Sequence, residues 1–207
     1  MAIGYTLYSM TYIIVGLGNP DTEYEGTRHN TGREMVEAFH KVNDFDEWEE
    51  DKKLNSHESS GKIGKEKTVL VLPNTFMNNS GKAVGKLITS KKAAERLVVV
   101  HDDLDLPLGR FKISFNKSSG GHRGVESVVK AVGTEAFIRV RVGISGAGKN
   151  GSVKKPKGEK AVGDFILGKF KPAEQLIFKK ESKKVSEAIK LIVVEGREKA
   201  MGVFNSL

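Results

Sequence analysis

Compact apolar runs alternate along this chain with segments whose apolar residues recur at helical spacing. Residues 12–15, 68–72 and 97–100 are short, continuous runs of mainly β-branched and aliphatic side chains, a pattern typical of strands buried on both faces. Residues 110–115 and 138–144 instead alternate apolar with polar or charged side chains, which predicts two half-buried strands.

Helical periodicity is found in four segments between and after these strands. Apolar residues three or four apart predict helices over residues 34–42, from about Ser80 to Ile88, after a glycine-rich turn at 120–124, and over 171–194. Strands alternate with helices, and no linker-like stretch separates two cores. The sequence therefore predicts a single α/β domain with a central mixed, mostly parallel sheet flanked by helices.

Three segments are predicted to lie outside this regular pattern. The acidic stretch 44–51 is typical of an exposed loop or a helix end. Residues 146–160 contain five lysines among glycines and are predicted to be mobile. Residues 1–11 are interpreted as an N-terminal extension, so we expect the domain itself to comprise residues 12–207.

Composition and charge narrow the class of protein. The 207 residues include no cysteine, which excludes a disulfide scaffold, a thiolate nucleophile, a Cys-ligated zinc site and an iron–sulfur cluster. Thirty-four Lys and Arg against 26 Asp and Glu give a formal charge of +8, which suits a polyanionic partner such as nucleic acid. In the strand predicted at 138–144, Arg139 and Arg141 alternate with valines and predict one basic face.

Neither a membrane span nor a secretory leader is indicated. No stretch approaches the roughly 18 continuous apolar residues that a span requires, and the first eleven residues have no basic leading region. We therefore expect no membrane partner.

Polar side chains follow several of the predicted strands and the loop after the first one. Asn19 follows the first strand, His29 lies in the loop beyond it, and Asn78 and Asp102 follow two later strands. Because ligands of open α/β sheets bind at the carboxyl edge of the strands, these four residues are expected to converge there. Asn and Asp at strand ends also form turns, but four such residues with a histidine among them favour a site.

The candidate chemistry is attack by water on an electrophile. His29 is suited to act as a general base near neutral pH, with Asp102 fixing its tautomer, while His101 and His122 remain alternative bases. The histidines lack metal-ligand spacing, and the dinucleotide, phosphate-loop and serine-hydrolase motifs are not satisfied. We therefore expect neither a metal nor a cofactor.

Several blocks of the chain, in order, resemble the signature of the bacterial-type peptidyl-tRNA hydrolase family. The resemblance extends from about Tyr12 to Phe170, and a terminal helix is also expected. The blocks are Val15-Gly16-Leu17-Gly18-Asn19-Pro20, Tyr24 with Thr27-Arg28-His29-Asn30, Thr75-Phe76-Met77-Asn78-Asn79-Ser80-Gly81, His101-Asp102-Asp103-Leu104-Asp105-Leu106-Pro107, Gly120-Gly121-His122-Arg123-Gly124, Arg139-Val140-Arg141-Val142-Gly143-Ile144, and Val162-Gly163-Asp164-Phe165-Ile166-Leu167-Gly168.

The resemblance implies a metal-independent esterase that cuts the bond between a peptide, or an N-acyl amino acid, and tRNA. By motif position, His29 matches the catalytic base of the family and Asp102 the carboxylate that supports it. The resemblance also implies a monomer that acts on peptidyl-tRNA in the cytoplasm, or in mitochondria if the source is eukaryotic.

The same motif positions imply one cleft for the substrate. Two amides are expected to hold the peptide and the attacked ester, three apolar or aromatic side chains to line the cleft beside them, and a basic residue to bind tRNA phosphate. These residues are, in that order, Asn19 and Asn78, then Tyr24, Phe76 and Met77, then Arg141.

Two positions depart from the family pattern. Arg123 stands where the family usually has an asparagine associated with placing water and substrate, so either Arg123 contacts the substrate in its place or the rate of hydrolysis is reduced. The lysine that usually accompanies the phosphate-binding arginine falls on Ser114, and either Lys112 or Lys117 is a substitute.

Two other functions are compatible with such a chain. One is an RNA-binding relative that has lost hydrolysis, as in the plastid splicing-factor branch of the family; the other is a small-molecule esterase, which would not need a basic surface. Because Asn19, His29, Asn78 and Asp102 are all present, the sequence favours the tRNA-directed hydrolase.

Overall fold

The structure, a computed structural model, describes residues 11–148 and 152–206. Its strands are β1 (Tyr12–Gly16), β2 (Glu49–Asp51), β3 (Ser56–Ile63), β4 (Glu66–Pro73), β5 (Leu97–Pro107), β6 (Phe111–Phe115), β7 (Ile138–Ala147) and β8 (Val153–Lys154). Its helices are α1 (Thr31–Lys41), α2 (Gly81–Val84), α3 (Lys91–Ala94), α4 (Arg123–Val132), α5 (Glu159–Leu167), α6 (Pro172–Glu195) and α7 (Arg197–Phe204). Single 3-10 turns occur at Thr22–Tyr24, Arg28–Asn30 and Met77–Asn79.

The strands form one mixed sheet in the order β2–β3–β4–β1–β5–β7–β6, and β8 pairs with the end of β7. The four strands β4, β1, β5 and β7 are parallel, whereas the pairings towards both edges are antiparallel. In β1, Ile14 lies opposite Leu70 on one side and Val98 on the other. The predicted α/β class with a central mixed sheet is confirmed, and the parallel strands occupy its centre.

Helices cover both faces of the sheet, which explains the continuous apolar runs in the central strands. Ile14 and Val98 belong to the layer that includes α1, α6 and α7. Their neighbours Ile13 and Val99 point to the opposite layer, which includes α2, α3 and α4. All four residues are at most 1% exposed, so the two layers make up a core on each side of β1 and β5.

The start of α1 lies unusually close to the sheet at Gly32. A β-carbon at Gly32 would collide with the carbonyl oxygen of Val100 and with the backbone of Leu17, so only glycine fits. The Leu17 N–H in turn donates to the same Val100 carbonyl at 3.0 Å. This close approach fixes the turn that carries His29 against β5, the strand that carries Asp102.

Several elements of the structure differ from the predicted ones. β3 was not predicted, since its residues are mostly polar, yet it pairs with β4 along its whole length. The prediction of a loop or helix end at 44–51 is wrong at Glu49–Asp51, which form an edge strand. The helix predicted from Ser80 to Ile88 is shorter, because only Gly81–Val84 is helical and Ile88 is buried beyond its end. Helices α5 and α7 were not predicted.

Two predictions concern segments that lie wholly or partly outside the described residues. These are the N-terminal extension, of which only Thr11 is described, and the segment 146–160, of which 149–151 are not. Strands β7 and β8, which lie before and after residues 149–151, pair with each other, and Gly146 lies opposite Lys154. None of the described helices combines the length and the apolar composition that crossing a membrane demands.

Candidate active site

A cleft of about 1060 Å³ opens where the carboxyl ends of the parallel strands meet the loops that follow them. Its lining includes Asn19, His29, Asn78 and Asp102, so the structure brings together the four polar residues that the sequence placed at this edge. The further predicted site residues that line it are Phe76, Met77, Arg123 and Arg141.

Asp102 reaches this edge because β5 is longer than its neighbour β1. The last residue of β1, Gly16, pairs with Val100, whereas β5 continues and Asp102 pairs with Val142 of β7. The sequence had placed the end of this strand at Val100. The extra length carries Asp102 past the end of β1, into the space beside the turn that contains His29.

His29 and Asp102 form a buried hydrogen-bonded pair. The Nδ1 atom of His29 lies 3.0 Å from Oδ1 of Asp102, and the carboxylate side chain is only 4% exposed. Nδ1 therefore donates its hydrogen to the carboxylate, so Nε2 of the neutral ring carries the lone pair. Because the His29 side chain lines the cleft, this lone pair is available to a ligand there.

His122 contacts the same carboxylate oxygen but uses both of its ring nitrogens. Its Nε2 lies 2.9 Å from Asp102 Oδ1, while its Nδ1 accepts the backbone N–H groups of Gly124 and Val125 at 3.1 and 3.2 Å. His122 thus caps the N-terminus of α4 and is fixed with its hydrogen on Nε2. It has no lone pair left to accept a proton, which argues against it as the base.

His101 is unsuited to be the base for a different reason. Its Nδ1 lies 2.7 Å from the carbonyl oxygen of Asp102 and donates to it, whereas its Nε2 is buried and has no hydrogen-bond partner among the described residues. Burial, reinforced by the charge of Arg139, holds the pKa of His101 well below its ordinary value. The ring therefore stays neutral and exchanges no proton with the cleft.

Electrostatics at the pair favour an ionised Asp102 and a His29 whose pKa lies above its ordinary value. Burial lowers the pKa of His29, but the charge and hydrogen bond of Asp102 outweigh burial and raise the pKa above its ordinary value. The charge of Arg123 opposes this rise. Burial also acts to raise the pKa of Asp102, yet the charges and N–H groups of His29 and His122 hold that pKa far below its usual range.

Asn19 is held so that one end of its amide is left for a ligand. Its Oδ1 accepts the backbone N–H of Met77 at 2.9 Å, and its own N–H and carbonyl bond the side chain of Asn30 at 2.8 and 3.0 Å. Among the described residues, no partner is found for Nδ2 of Asn19. The cleft therefore contains a fixed N–H donor as well as the lone pair of His29.

One wall of the cleft is apolar. Phe76 is 52% exposed and Leu167 of α5 is 48% exposed, and both side chains line the cleft. The exposed amide of Asn78 lines the cleft as well. Tyr24 does not line the cleft. Its ring instead packs edge-on against Phe76, with the ring centres 6.3 Å apart.

The basic part of the cleft lies on β7 and beside it. The Nε of Arg141 donates to Asp103 Oδ2 at 2.6 Å, which leaves the outer nitrogens of the guanidinium for an anion. Arg139 is only 3% exposed, and it donates to the carbonyl of Ser118 at 2.8 Å. The predicted basic face is therefore not a wholly exposed strand surface, because Arg139 is buried.

One of the two candidate substitutes for the family lysine lines the cleft. Ser114 pairs with Arg139 across the sheet, and Lys112 pairs with Arg141. Lys117 lines the cleft, whereas Lys112 is not among the lining residues. Of the two lysines that the sequence left open, the geometry favours Lys117.

Arg123 lies at the mouth of the cleft and points to the opposite wall. Its Nη2 lies 2.7 Å from Oε1 of Glu159, the first residue of α5. Both side chains are mainly exposed, 69% and 88% respectively. Such a pair contributes little to stability, so Arg123 is free to exchange Glu159 for a ligand.

The cluster at the centre contains side chains of the kinds that bind metals. Ligand atoms of His29, Asp102 and His122 lie within 4.8 Å of one another. Each of the N–H groups that faces the carboxylate already forms a hydrogen bond with it, and the remaining nitrogen of His122 binds backbone N–H groups. The donor set is therefore satisfied as a hydrogen-bonded triad and does not fit a metal in this arrangement.

The contribution of α5 to the cleft was not predicted from the sequence. Val162, Gly163, Ile166 and Leu167 of α5 all line the cleft. A signal was present, because Val162 and Ile166 are four residues apart and therefore share a helix face.

Comparisons with known proteins identify the relatives of this chain. The family model described as peptidyl-tRNA hydrolase matches residues 13–207. The chain is 39% identical to the peptidyl-tRNA hydrolase of Aquifex aeolicus over 198 residues, which cover 93% of this chain and 95% of the relative. It is 40% identical to that of Carboxydothermus hydrogenoformans, covering 94% and 98%. The crystal structure of peptidyl-tRNA hydrolase from Acinetobacter baumannii superposes with a TM-score of 0.84 at 30% identity and covers 96% of each chain.

Proposed function

The chain belongs to the peptidyl-tRNA hydrolase family, and we propose that it hydrolyses the ester bond between a peptide, or an N-acyl amino acid, and tRNA. This activity recycles tRNA from peptidyl-tRNA that has been released prematurely. The observation that carries the proposal is the buried pair of His29 and Asp102, which turns the lone pair of His29 Nε2 towards a cleft that also contains an amide donor.

The proposed reaction begins with a water molecule held between His29 and the substrate ester. Nε2 of His29 removes a proton as the water oxygen bonds to the ester carbonyl carbon. The imidazolium that forms is stabilised by Asp102, 3.0 Å from the opposite nitrogen. When the tetrahedral intermediate collapses, its bond to the ribose oxygen breaks and His29 returns the proton to that oxygen. The products are the free peptide acid and tRNA.

Asn19 is proposed to stabilise the oxyanion of the intermediate. Its Oδ1 is already bound to the N–H of Met77, so Nδ2 is the group aimed at a ligand. A preorganised donor of this kind is worth about 3 kcal/mol in other hydrolases. Asn78, on the rim, is proposed to hold the peptide backbone instead, since its exposed amide is less rigidly fixed.

The two walls of the cleft suit the two halves of the substrate. Phe76, Met77 and Leu167 offer apolar surface to the peptide, with Tyr24 supporting Phe76 from behind. Arg141, with Lys117 nearby, is proposed to bind a tRNA phosphate through the nitrogens not used by Asp103.

The non-hydrolytic alternative finds no support. The relatives and the solved structure described above bear the name of the hydrolase, and the cleft retains a base, its carboxylate and an amide donor. We further propose that the protein acts as a monomer in the cytoplasm, or in mitochondria if the source is eukaryotic, where translation releases its substrate.

The decisive experiment measures release of a labelled N-acyl amino acid from tRNA, with unblocked aminoacyl-tRNA as the comparison. We expect the wild type to cleave only the blocked substrate efficiently. His29→Ala should reduce kcat by at least about 10²–10⁴-fold while tRNA affinity is nearly unchanged. Wild-type protein that binds tRNA but releases no amino acid would show that the non-hydrolytic reading is correct.

A further inference from the structure

Arg28, the residue directly before His29, is buried in a set of contacts that the proposed reaction does not use. Its side chain is 8% exposed. Nη1 donates to the carbonyl oxygens of Gly168 and Lys169, both at 3.0 Å, and Nη2 donates to Glu174 Oε2 at 2.8 Å. Buried arginine needs such partners, because an unpaired cation is costly away from water.

Aromatic rings complete the surroundings of the guanidinium group. Its central carbon lies 4.5 Å from the ring centre of Phe165 and 5.1 Å from that of Phe170. A planar guanidinium can stack on rings while its edge donates hydrogen bonds in a fixed fork, whereas a lysine ammonium cannot do both.

The backbone around Arg28 is joined to the same partner segment. The Arg28 N–H donates to the carbonyl of Gly168 at 3.1 Å, and the Phe170 N–H donates to the carbonyl of Gly26 at 3.1 Å. Glu174, the ion-pair partner, also accepts the N–H of Lys171 at 2.7 Å. Residues 168–170 are therefore joined by backbone and side-chain hydrogen bonds to Gly26 and Arg28, the residues that lead into the turn with His29.

This segment directly follows the part of α5 that forms a wall of the cleft. Ile166 and Leu167 line the cleft. The carbonyl oxygen of the next residue, Gly168, accepts hydrogen bonds from both the backbone N–H and the Nη1 of Arg28. Arg28 therefore connects the end of the α5 wall to the residue beside it, His29.

We propose that Arg28 is a positioning residue that sets the distance between His29 and the α5 wall, and with it the alignment of the base with the substrate. The inference rests on the proposed function, since it concerns the same reaction. Arg28 does not touch the reacting atoms, and it acts through His29 and through the carbonyl groups at the end of α5.

The test compares Arg28→Lys with a matched change elsewhere. Arg96 is also paired with a glutamate, at 2.8 Å from Glu66, and also lies over a ring, 4.9 Å from that of Tyr12. It does not line the cleft. We expect Arg28→Lys to lower kcat on N-acyl-aminoacyl-tRNA about 10–100-fold, since a misplacement of roughly 1 Å costs about that much. Arg96→Lys should leave kcat unchanged.

A second readout does not depend on turnover. In NMR titrations of the imidazole groups, we expect Arg28→Lys to lower the pKa of His29, because a looser contact with Asp102 leaves burial less opposed. His122 and Arg123 also face His29. The NMR signals of His122 and the thermal midpoint of each variant are therefore recorded in parallel. Glu174→Gln keeps the carbonyl contacts of Arg28, and a smaller shift in the same direction is expected from this milder variant.

The outcomes separate the two proposals. If the wild type hydrolyses the ester but Arg28→Lys and Glu174→Gln match Arg96→Lys in both kcat and the His29 titration, the positioning role is refuted. If the wild type does not hydrolyse the ester, the proposed function fails, and the titration alone decides whether Arg28 positions His29. A thermal midpoint lowered equally by Arg28→Lys and Arg96→Lys, with no change in titration, would assign Arg28 to stability alone and overturn the proposal.

Discussion

Replacing Asp102 by asparagine separates the geometry of the His29 hydrogen bond from the charge that supports it. Oδ1 of Asp102 accepts N–H groups from His29 and His122 at 3.0 and 2.9 Å. An asparagine whose carbonyl oxygen takes the same position preserves both hydrogen bonds. The variant loses only the negative charge beside the imidazolium that His29 becomes after taking a proton from water.

The size of the loss follows from the separation of the charges. With the donor nitrogen 3.0 Å from the carboxylate oxygen, the two charge centres are roughly 4 Å apart, where an effective dielectric constant of about 20 gives an attraction of about 4 kcal/mol. Since about 1.4 kcal/mol corresponds to a factor of ten, we expect Asp102→Asn to lower kcat by about 10³. The pKa of His29 should fall as well, because burial then acts against less opposition.

The assay is release of labelled N-acyl amino acid from tRNA at saturating substrate, recorded over a range of pH. A matched control is Asp51→Asn, because Asp51 also accepts two N–H groups, those of Lys53 and Leu54, but lies on β2 away from the cleft. The control should keep its kcat. An Asp102→Asn enzyme within about threefold of the wild type would refute the view that the charge of Asp102 supports the base.

Three further changes test other parts of the molecule. Arg123→Asn removes a charge that lowers the pKa of His29, so the acidic limb of the pH–rate profile should move to higher pH while kcat stays within about tenfold; an unmoved limb would contradict this. Arg141→Ala should raise KM, leave kcat unchanged and reduce the slope of log affinity against log salt concentration by roughly one. An equal loss of kcat on the tRNA substrate and on a short acyl-aminoacyl adenosine would instead place Arg141 at the reacting centre. Burial raises the pKa of Glu34 to about 7, so the folded state binds its proton more tightly and stability falls as pH rises from about 4.5 to 7. Glu34→Gln should therefore raise the free energy of unfolding at about pH 8 by up to about 3 kcal/mol, with little effect at about pH 4, and equal unfolding curves at both pH values would exclude this.

The central strands were predictable because burial on both faces forces a continuous apolar pattern. Residues 12–15, 68–72 and 97–100 correspond to parts of β1, β4 and β5, which are covered by helices on both sides. β3 was not predictable in this way, because the backbone of β4 supplies its hydrogen bonds while its own side chains remain largely polar. Pairing of this kind is decided by the neighbouring strand and leaves no periodicity in the sequence.

The site was predictable as a set of residues but not as a set of roles. Motif order and strand ends were sufficient to bring Asn19, His29 and Asp102 together. The choice between His29 and His122 depends on which ring nitrogen is already bonded, and the N–H groups that occupy His122 belong to the first turn of α4. Arg28 was inconspicuous for a similar reason, since its partners lie 140 and more residues away.

A shared carboxylate gives this site a single direction for proton transfer. Oδ1 of Asp102 takes one N–H from His29 and one from His122, so both rings carry their hydrogen on the side that faces the carboxylate. The opposite nitrogen of His122 is bound by the start of α4, and only that of His29 faces the cleft. The extension of β5 beyond β1 positions the carboxylate of Asp102. The start of α4 occupies the free nitrogen of His122. Backbone topology therefore selects which of the two similar rings serves as the base.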